Sequence, residues 1–259
     1  MIIYHTIDAS KYSDWVIVHI SDTDVFVCLV SHATEINNEC WMFISKETIY
    51  DVKSASLSIG SKRSKWLVVL HVLTGCDITG KFWGKTKKTW LEFYLKAEEE
   101  IIDYFVNFPL INDPLVNIKV LESFICSVFC NNTNIKDLEN GRWFIWTQTK
   151  SIEKLPPTFV AFVQAVKRPW YASKILGQGN ILMQKVPDPL ESGWTLINSV
   201  FEPITSDDPI GPDSVVESIS CGCKTSCRSK RCSCQKVDLC CTELCSCNDV
   251  CENTDPPLD

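Results

Sequence analysis

Thiols dominate the chemistry that this chain could perform. Ten of its fifteen cysteines fall between Cys221 and Cys251. With Cys240 left aside, the other nine are spaced C-x-C-x3-C-x4-C-x-C-x6-C-x3-C-x-C-x3-C. Cysteines one residue apart are poorly placed to bond each other, because a disulfide needs Cα atoms about 5.5 Å apart and converging Cβ vectors. Such pairs suit joint ligation of a soft cation, since zinc takes four thiolates at about 2.3 Å in a tetrahedral shell. Three zinc ions require twelve thiolate bonds, and nine cysteines supply them if three sulfurs bridge and six do not. The candidate ligands are Cys221, Cys223, Cys227, Cys232, Cys234, Cys241, Cys245, Cys247 and Cys251. An extracellular disulfide knot is the rival reading of the same residues.

Carboxylates and lysines form the second constellation. Ser21-Asp22-Thr23-Asp24 lies between two apolar runs, Trp15 to Ile20 and Val25 to Val30. Both runs read as strand-like, and the acidic pair falls where the end of a buried parallel strand meets the next element. Further on, the helix-like run Trp66 to Leu73 leads into Thr74-Gly75-Cys76-Asp77, then Gly80, Gly84 and Lys85-Thr86-Lys87-Lys88. That basic segment enters a helix expected from Thr89 to Phe105. Converging carboxylates are what a pair of divalent cations requires, and lysines at a helix start hold phosphate without reading sequence.

Each constellation resembles a known family. The cysteine pattern is similar to the tesmin/TSO1-like CXC domain, a zinc module of nuclear DNA-binding and chromatin proteins. Cys232-Ser233-Cys234 and Cys245-Ser246-Cys247 match its paired C-x-C units, and Asn253 sits near its closing C-x-N. Cys241 keeps the family's six-residue gap, which leaves Cys240 as a non-ligand; the gaps after Cys223 and before Cys251 depart from the family. The resemblance implies that Arg231, just before the middle C-x-C, reaches a DNA minor groove, with Lys224, Arg228 and Lys230 near the phosphates. It also implies a nucleus, weak binding to duplex DNA, and chromatin proteins as further partners.

S-D-T-D-V with the later L-T-G-C-D and G-K-x-K-K resembles the flap-endonuclease/XPG-type branch of the PIN-like nucleases. The versions in transposon-derived proteins of animals look closest, and Leu155-Pro156-Pro157-Thr158 echoes them too. This resemblance implies a two-metal site on Asp22, Asp24 and Asp77, and a duplex grip on Gly80, Gly84, Lys85, Lys87 and Lys88. The family draws further carboxylates from an E-E-A-D-like helix and an earlier strand, which nothing in this sequence matches. The implied region is therefore an N-terminally truncated, inactive nuclease, and magnesium or manganese would belong only to a functional version of its site.

The expected fold class is α/β. A truncated PIN-like region with a Rossmann-like parallel sheet covers residues 1–108, and a mainly helical region covers 109–200. A linker (201–219), the CXC module (220–253) and an acidic tail (254–259) follow. Ala97 to Phe108, Leu115 to Phe129 and Pro157 to Leu176 have helical periodicity, the last with a kink at Pro169. Gly141 to Trp146 reads as a short strand or packed turn, and Trp143, Trp146, Trp170 and Trp194 as packing anchors. Cys126 and Cys130 fit an apolar core, and His5, His19, His32 and His71 form no metal spacing. The start lacks the features of a signal peptide, and no apolar run reaches the ~18 residues of a membrane span. A reducing intracellular setting with an idle Asn131-Asn132-Thr133 sequon is expected. Net charge is −7, while residues 220–253 carry +1 and the rest −8, so the body of the chain is no polyanion binder.

Overall fold

The computed structural model describes the chain outside residues 46, 83, 132–133, 150, 152–153, 207–219, 225, 237–238, 242–244, 248–250 and 254–259. Most of the expected linker, the acidic tail and two residues of the sequon lie outside the described residues. The chain divides into two compact units, Met1–Ser206 and Asp207–Asp259.

The first unit is mixed α/β and mostly helical. Helix α1 (Ile2–Ala9) precedes strand β1 (Trp15–His19), helix α2 (Thr23–Ser31) and strand β2 (Glu39–Phe43). β1 and β2 pair in parallel with Trp15 opposite Glu39, and α2 makes the crossover that a parallel pair needs. β3 (Ile49–Asp51) then pairs antiparallel with β2. Among the described residues the sheet ends there, so the Rossmann-like parallel sheet expected from the resemblance shrinks to one parallel pair.

Local chemistry explains where the elements depart from expectation. Val25–Val30 is not a strand but the body of α2. The Asp22 carboxylate accepts from the Asp24 N–H at 2.8 Å and caps a helix there, with Asp24 in the favourable first turn. Cys28, Leu29 and Val30 are then buried, and that packing outweighs the strand preference of valine. Helices α3 (Val52–Ile59), α4 (Ser61–Lys65) and α5 (Leu67–Leu73) follow, the last with every residue but Leu67 buried. The single helix expected from Thr89 to Phe105 is two, α6 (Lys87–Lys96) and α7 (Glu99–Asn107). Ala97 and Glu98 are extended between them, and Arg63 donates to the Ala97 carbonyl at 3.0 Å.

Helix α8 (Ile118–Cys130) is buried over most of its surface, as befits the centre of a helical layer. Phe124 packs against Trp90 and Phe105, with ring centroids 5.9 and 5.5 Å apart, and Phe105 meets Tyr94 at 5.1 Å. Gly141 to Trp146 belongs to helix α9 (Leu138–Thr149), started by Asp137, which accepts from the Asn140 N–H at 2.9 Å. Gly141 faces the buried sulfurs of Cys126 and Cys130, so a glycine lets α9 lie close to α8. Trp143 points the other way and is 68% exposed, so it is no packing anchor. Helix α10 (Phe159–Leu176) spans Pro169 and buries Trp170, whose indole N–H donates to the Ile111 carbonyl. A hairpin of β4 (Trp194–Ile197) and β5 (Val200–Pro203) closes the unit, so Phe201–Pro203 is strand rather than linker. Among the described residues no helix is long and apolar enough to cross a membrane.

Candidate metal centre

Among the described residues of the second unit, the interior is sulfur. Cys221, Cys227, Cys232, Cys234, Cys241, Cys245 and Cys247 are buried, Cys223 and Cys251 are half-buried, and together they form its described core. Cys240 is exposed, and no cysteine of the chain is in a disulfide. The sulfurs stand 3.8 Å apart in Cys221–Cys227 and Cys232–Cys241, 3.9 Å in Cys221–Cys241 and 3.6 Å in Cys234–Cys245. A tetrahedral zinc with 2.3 Å bonds separates its own sulfurs by about 3.8 Å.

The cysteines group accordingly. Cys221, Cys223, Cys227 and Cys232 have sulfurs within 4.8 Å of one another, and so do Cys227, Cys241, Cys247 and Cys251. These two quartets share Cys227 and leave Cys234 and Cys245 unused. Cys221 and Cys241 lie within 4.8 Å of each other and of both Cys234 and Cys245, so these four make a third quartet. Cys221, Cys241, Cys245 and Cys247 form a further quartet, as do Cys221, Cys232, Cys234 and Cys241, so the groupings overlap and Cys221 and Cys241 recur most often.

Short backbone contacts hold the sulfurs in place. Cys227 has a left-handed φ of 54°. Cys232 precedes the single turn α11 (Ser233–Lys236), and the Gln235 N–H aimed at its sulfur lowers that thiol to about 6. Desolvation pushes Cys234 up to about 12 and Cys247 up to about 11, and it raises Cys227 and Cys241 further. Such crowded protonated thiols gain by exchanging protons for a divalent cation, so ligation releases protons. Asn253 joins the ends of the unit: its side chain donates to the Cys241 sulfur at 3.3 Å and to the Leu239 carbonyl at 2.9 Å. Its backbone N–H donates to the Cys251 sulfur at 3.4 Å. The C-x-N signal in the sequence marks this residue, but not that it reaches Cys241. Outside the cluster, Lys224, Arg228, Lys230 and Arg231 are exposed, and Arg228 pairs with Glu252.

The carboxylates of the first unit are arranged differently. Asp22 is committed to the α2 cap. Asp24 Oδ1 meets His71 Nε2 at 2.7 Å, and His71 Nδ1 meets Lys87 Nζ at 2.8 Å. A protonated lysine offers only hydrogens, so the imidazole accepts at Nδ1 and donates its Nε2–H to Asp24. Burial and the Lys87 charge both hold His71 below its ordinary value, against the pull of Asp24. Lys87 also lies within electrostatic reach of the exposed Asp77, so a lysine stands near both Asp24 and Asp77. Asp22, Asp24 and Asp77 do not bring three ligand oxygens within 4.8 Å of one another; the groupings of that kind among the described residues are all cysteine. Lys85 is turned inward, donating to the Val128 and Phe129 carbonyls at 3.0 and 3.1 Å at the end of α8, while Lys88 is exposed. The Asp24–His71–Lys87 chain was not legible in the sequence, where nothing links a buried histidine to an acid 47 positions away.

Comparison with known proteins gives no match to a family model, to a curated protein or to a solved structure. Neither resemblance gains support from a relative. The geometry itself defines the class: a mixed α/β chain with a cysteine-rich C-terminal unit that could hold zinc.

Proposed function

We propose that the second unit is a three-zinc module of the tesmin/TSO1-like CXC kind that makes weak contact with duplex DNA. The observation behind this reading is that nine sulfurs pack into overlapping quartets, from which three sharing Cys221, Cys227 and Cys241 can be chosen to use all nine. Three Zn²⁺ on nine thiolates sum to −3, so part of the charge on Lys224, Arg228, Lys230, Arg231 and Lys236 offsets the cluster. With the four acidic residues of the same stretch the loaded module sums to about −2, so phosphate contact rests on the local run Lys224 to Arg231 and is weak and salt-sensitive. Arg228 is further occupied by Glu252. Arg231 is exposed and makes no ion pair among the described residues, which suits insertion into a narrow A·T-rich minor groove. A nuclear setting and chromatin partners follow from the same reading. The first unit is a nuclease-like remnant of a mobile element in this account, and it does not cleave DNA. Asp24 is held by His71, and the Lys87 ammonium adds positive charge where two cations would have to sit.

The test uses the zinc-loaded full chain titrated with labelled A·T-rich duplex at low and moderate salt. Binding at low salt that falls steeply as salt rises, and that is lost in Arg231→Ala with zinc content unchanged, is the expected result. No binding at low salt, or equal binding by the variant, contradicts the DNA contact while leaving the metal module standing. Magnesium- or manganese-dependent cutting of flap DNA that disappears in Asp24→Ala contradicts the reading of the first unit.

A further inference from the structure

We propose that the first unit binds a small planar anion, an aromatic ring bearing a phosphate or a carboxylate, in the cleft between α10 and the β4–β5 hairpin. The cleft has a volume of about 540 Å³, within the range of small-molecule sites. Arg168 and Tyr171 of α10, Trp194 and Phe201 of the hairpin, and the turn carrying Asp77 line it.

Arg168 supplies the chemistry. Its Nη1 group donates to the carbonyls of Gly193 at 3.2 Å and Ile204 at 2.7 Å, which fixes the guanidinium at the base of the hairpin. Gly193, at φ +90°, permits this closeness, because a Cβ there would meet Arg168 Cγ at 3.2 Å and Lys167 Cβ at 3.1 Å. Among the described residues the Nε–H and Nη2 donors make no bond, and they are not among the atoms sealed from solvent. Among the described residues no carboxylate pairs with Arg168, and burial lowers its basicity. A half-buried cation lacking a counter-ion favours an incoming anion, and the Nε/Nη2 edge is the two-pronged fork that fits a carboxylate or phosphate.

The walls choose the rest of the ligand. Tyr171 and Trp194 stand edge to face at 4.9 Å and so hold each other rigid. Phe201 leaves 52% of its surface open, which offers an inserted ring a stacking partner. Asp77 lines the same cleft without pairing with Arg168, and its charge directs the anionic end of a ligand toward the guanidinium.

Calorimetric titration of the full chain with adenosine monophosphate and with indole-3-carboxylate, beside neutral adenosine and indole, tests the proposal. One or both anions should bind at a single site, about tenfold or more tighter than their neutral counterparts. The anion that binds identifies the headgroup as phosphate or carboxylate. Arg168→Lys, which keeps a donor for the two carbonyls but loses the fork, and Phe201→Ala, at an exposed ring, should each weaken binding about tenfold with unchanged thermal melting. Failure of both anions to bind at millimolar concentration overturns the proposal. So does equal binding by the neutral compounds, or full affinity in both variants.

Discussion

The two units exclude water by opposite means. The interior of the first is Trp90, Tyr94, Phe105, Phe124, Leu29, Ile125 and their neighbours, spread over many elements. The interior of the second is sulfur, drawn from a stretch of only thirty-one residues. Apolar burial contributes about 25 cal/mol per Å² and is shared among many side chains, so no single one decides whether the first unit folds. Thiolate ligation concentrates about 10–16 kcal/mol in a few bonds, and a segment this poor in apolar residues has little else to fold on. Stability in the first unit is distributed; in the proposed reading, that of the second rests on a cation.

The largest effect should separate the units outright. A strong zinc chelator added to the full chain should unfold the second unit and leave the first intact. Hydrogen exchange reads this directly: the bonded amides of Cys241, Ser246 and Glu252 should lose protection while those of α8 keep theirs. Joint loss, or protection of the second unit without metal, would break the comparison. The converse perturbation is smaller. Trp90→Ala removes a fully buried ring from the first core and should cost about 3–5 kcal/mol in denaturant unfolding, with zinc content unchanged.

Within the first unit, acidification should give the smallest effect. His71 is held below its ordinary value of 6.5 by burial and by Lys87, with Asp24 and Asp22 pulling the other way. The unfolded chain therefore takes up the proton first. The contribution of this group is complete above about pH 6.5 and erodes as pH falls from there toward the lowered folded value. Thermal melting of the first unit should decline over that interval, and His71→Gln should flatten the decline. An unchanged slope in the variant would remove His71 as its source.

What the sequence disclosed follows the same division. Cysteine spacing discloses the cluster almost directly, because residues close in the chain meet readily in a small unit, and the nine candidate ligands are the residues that cluster. Cys240 and Cys241 are adjacent, and their opposite burial agrees with the six-residue gap. In the first unit, long apolar runs such as Leu121 to Phe129 are readable as buried helix. Short runs are not: Val25–Val30 has strand composition, yet a cap at Asp22 and tertiary burial make it helical. Gly141–Trp146 misleads in the same way, since the reason for its helix is a close approach to Cys126 and Cys130 from another element. Lys85 reads as a basic surface residue because its partners, the carbonyls of Val128 and Phe129, lie 43 and 44 positions away. Arg168 in its cleft is hidden for the same reason, as its partners come from a hairpin that the pattern did not reveal.

Sharing of sulfurs is the central claim for the second unit, and cadmium-113 resonance on the metal-exchanged full chain tests it most directly. Cadmium replaces zinc at thiolate sites, and two ions joined through one sulfur split each other's signals. Three resonances in the all-thiolate region should appear, each coupled to the other two through Cys221, Cys227 and Cys241. In Cys241→Ser at least two of the three should shift or vanish, because that sulfur belongs to more than one quartet. One or two resonances without mutual coupling would mean separate sites with unshared ligands. No resonance at all would mean that the cluster does not hold metal.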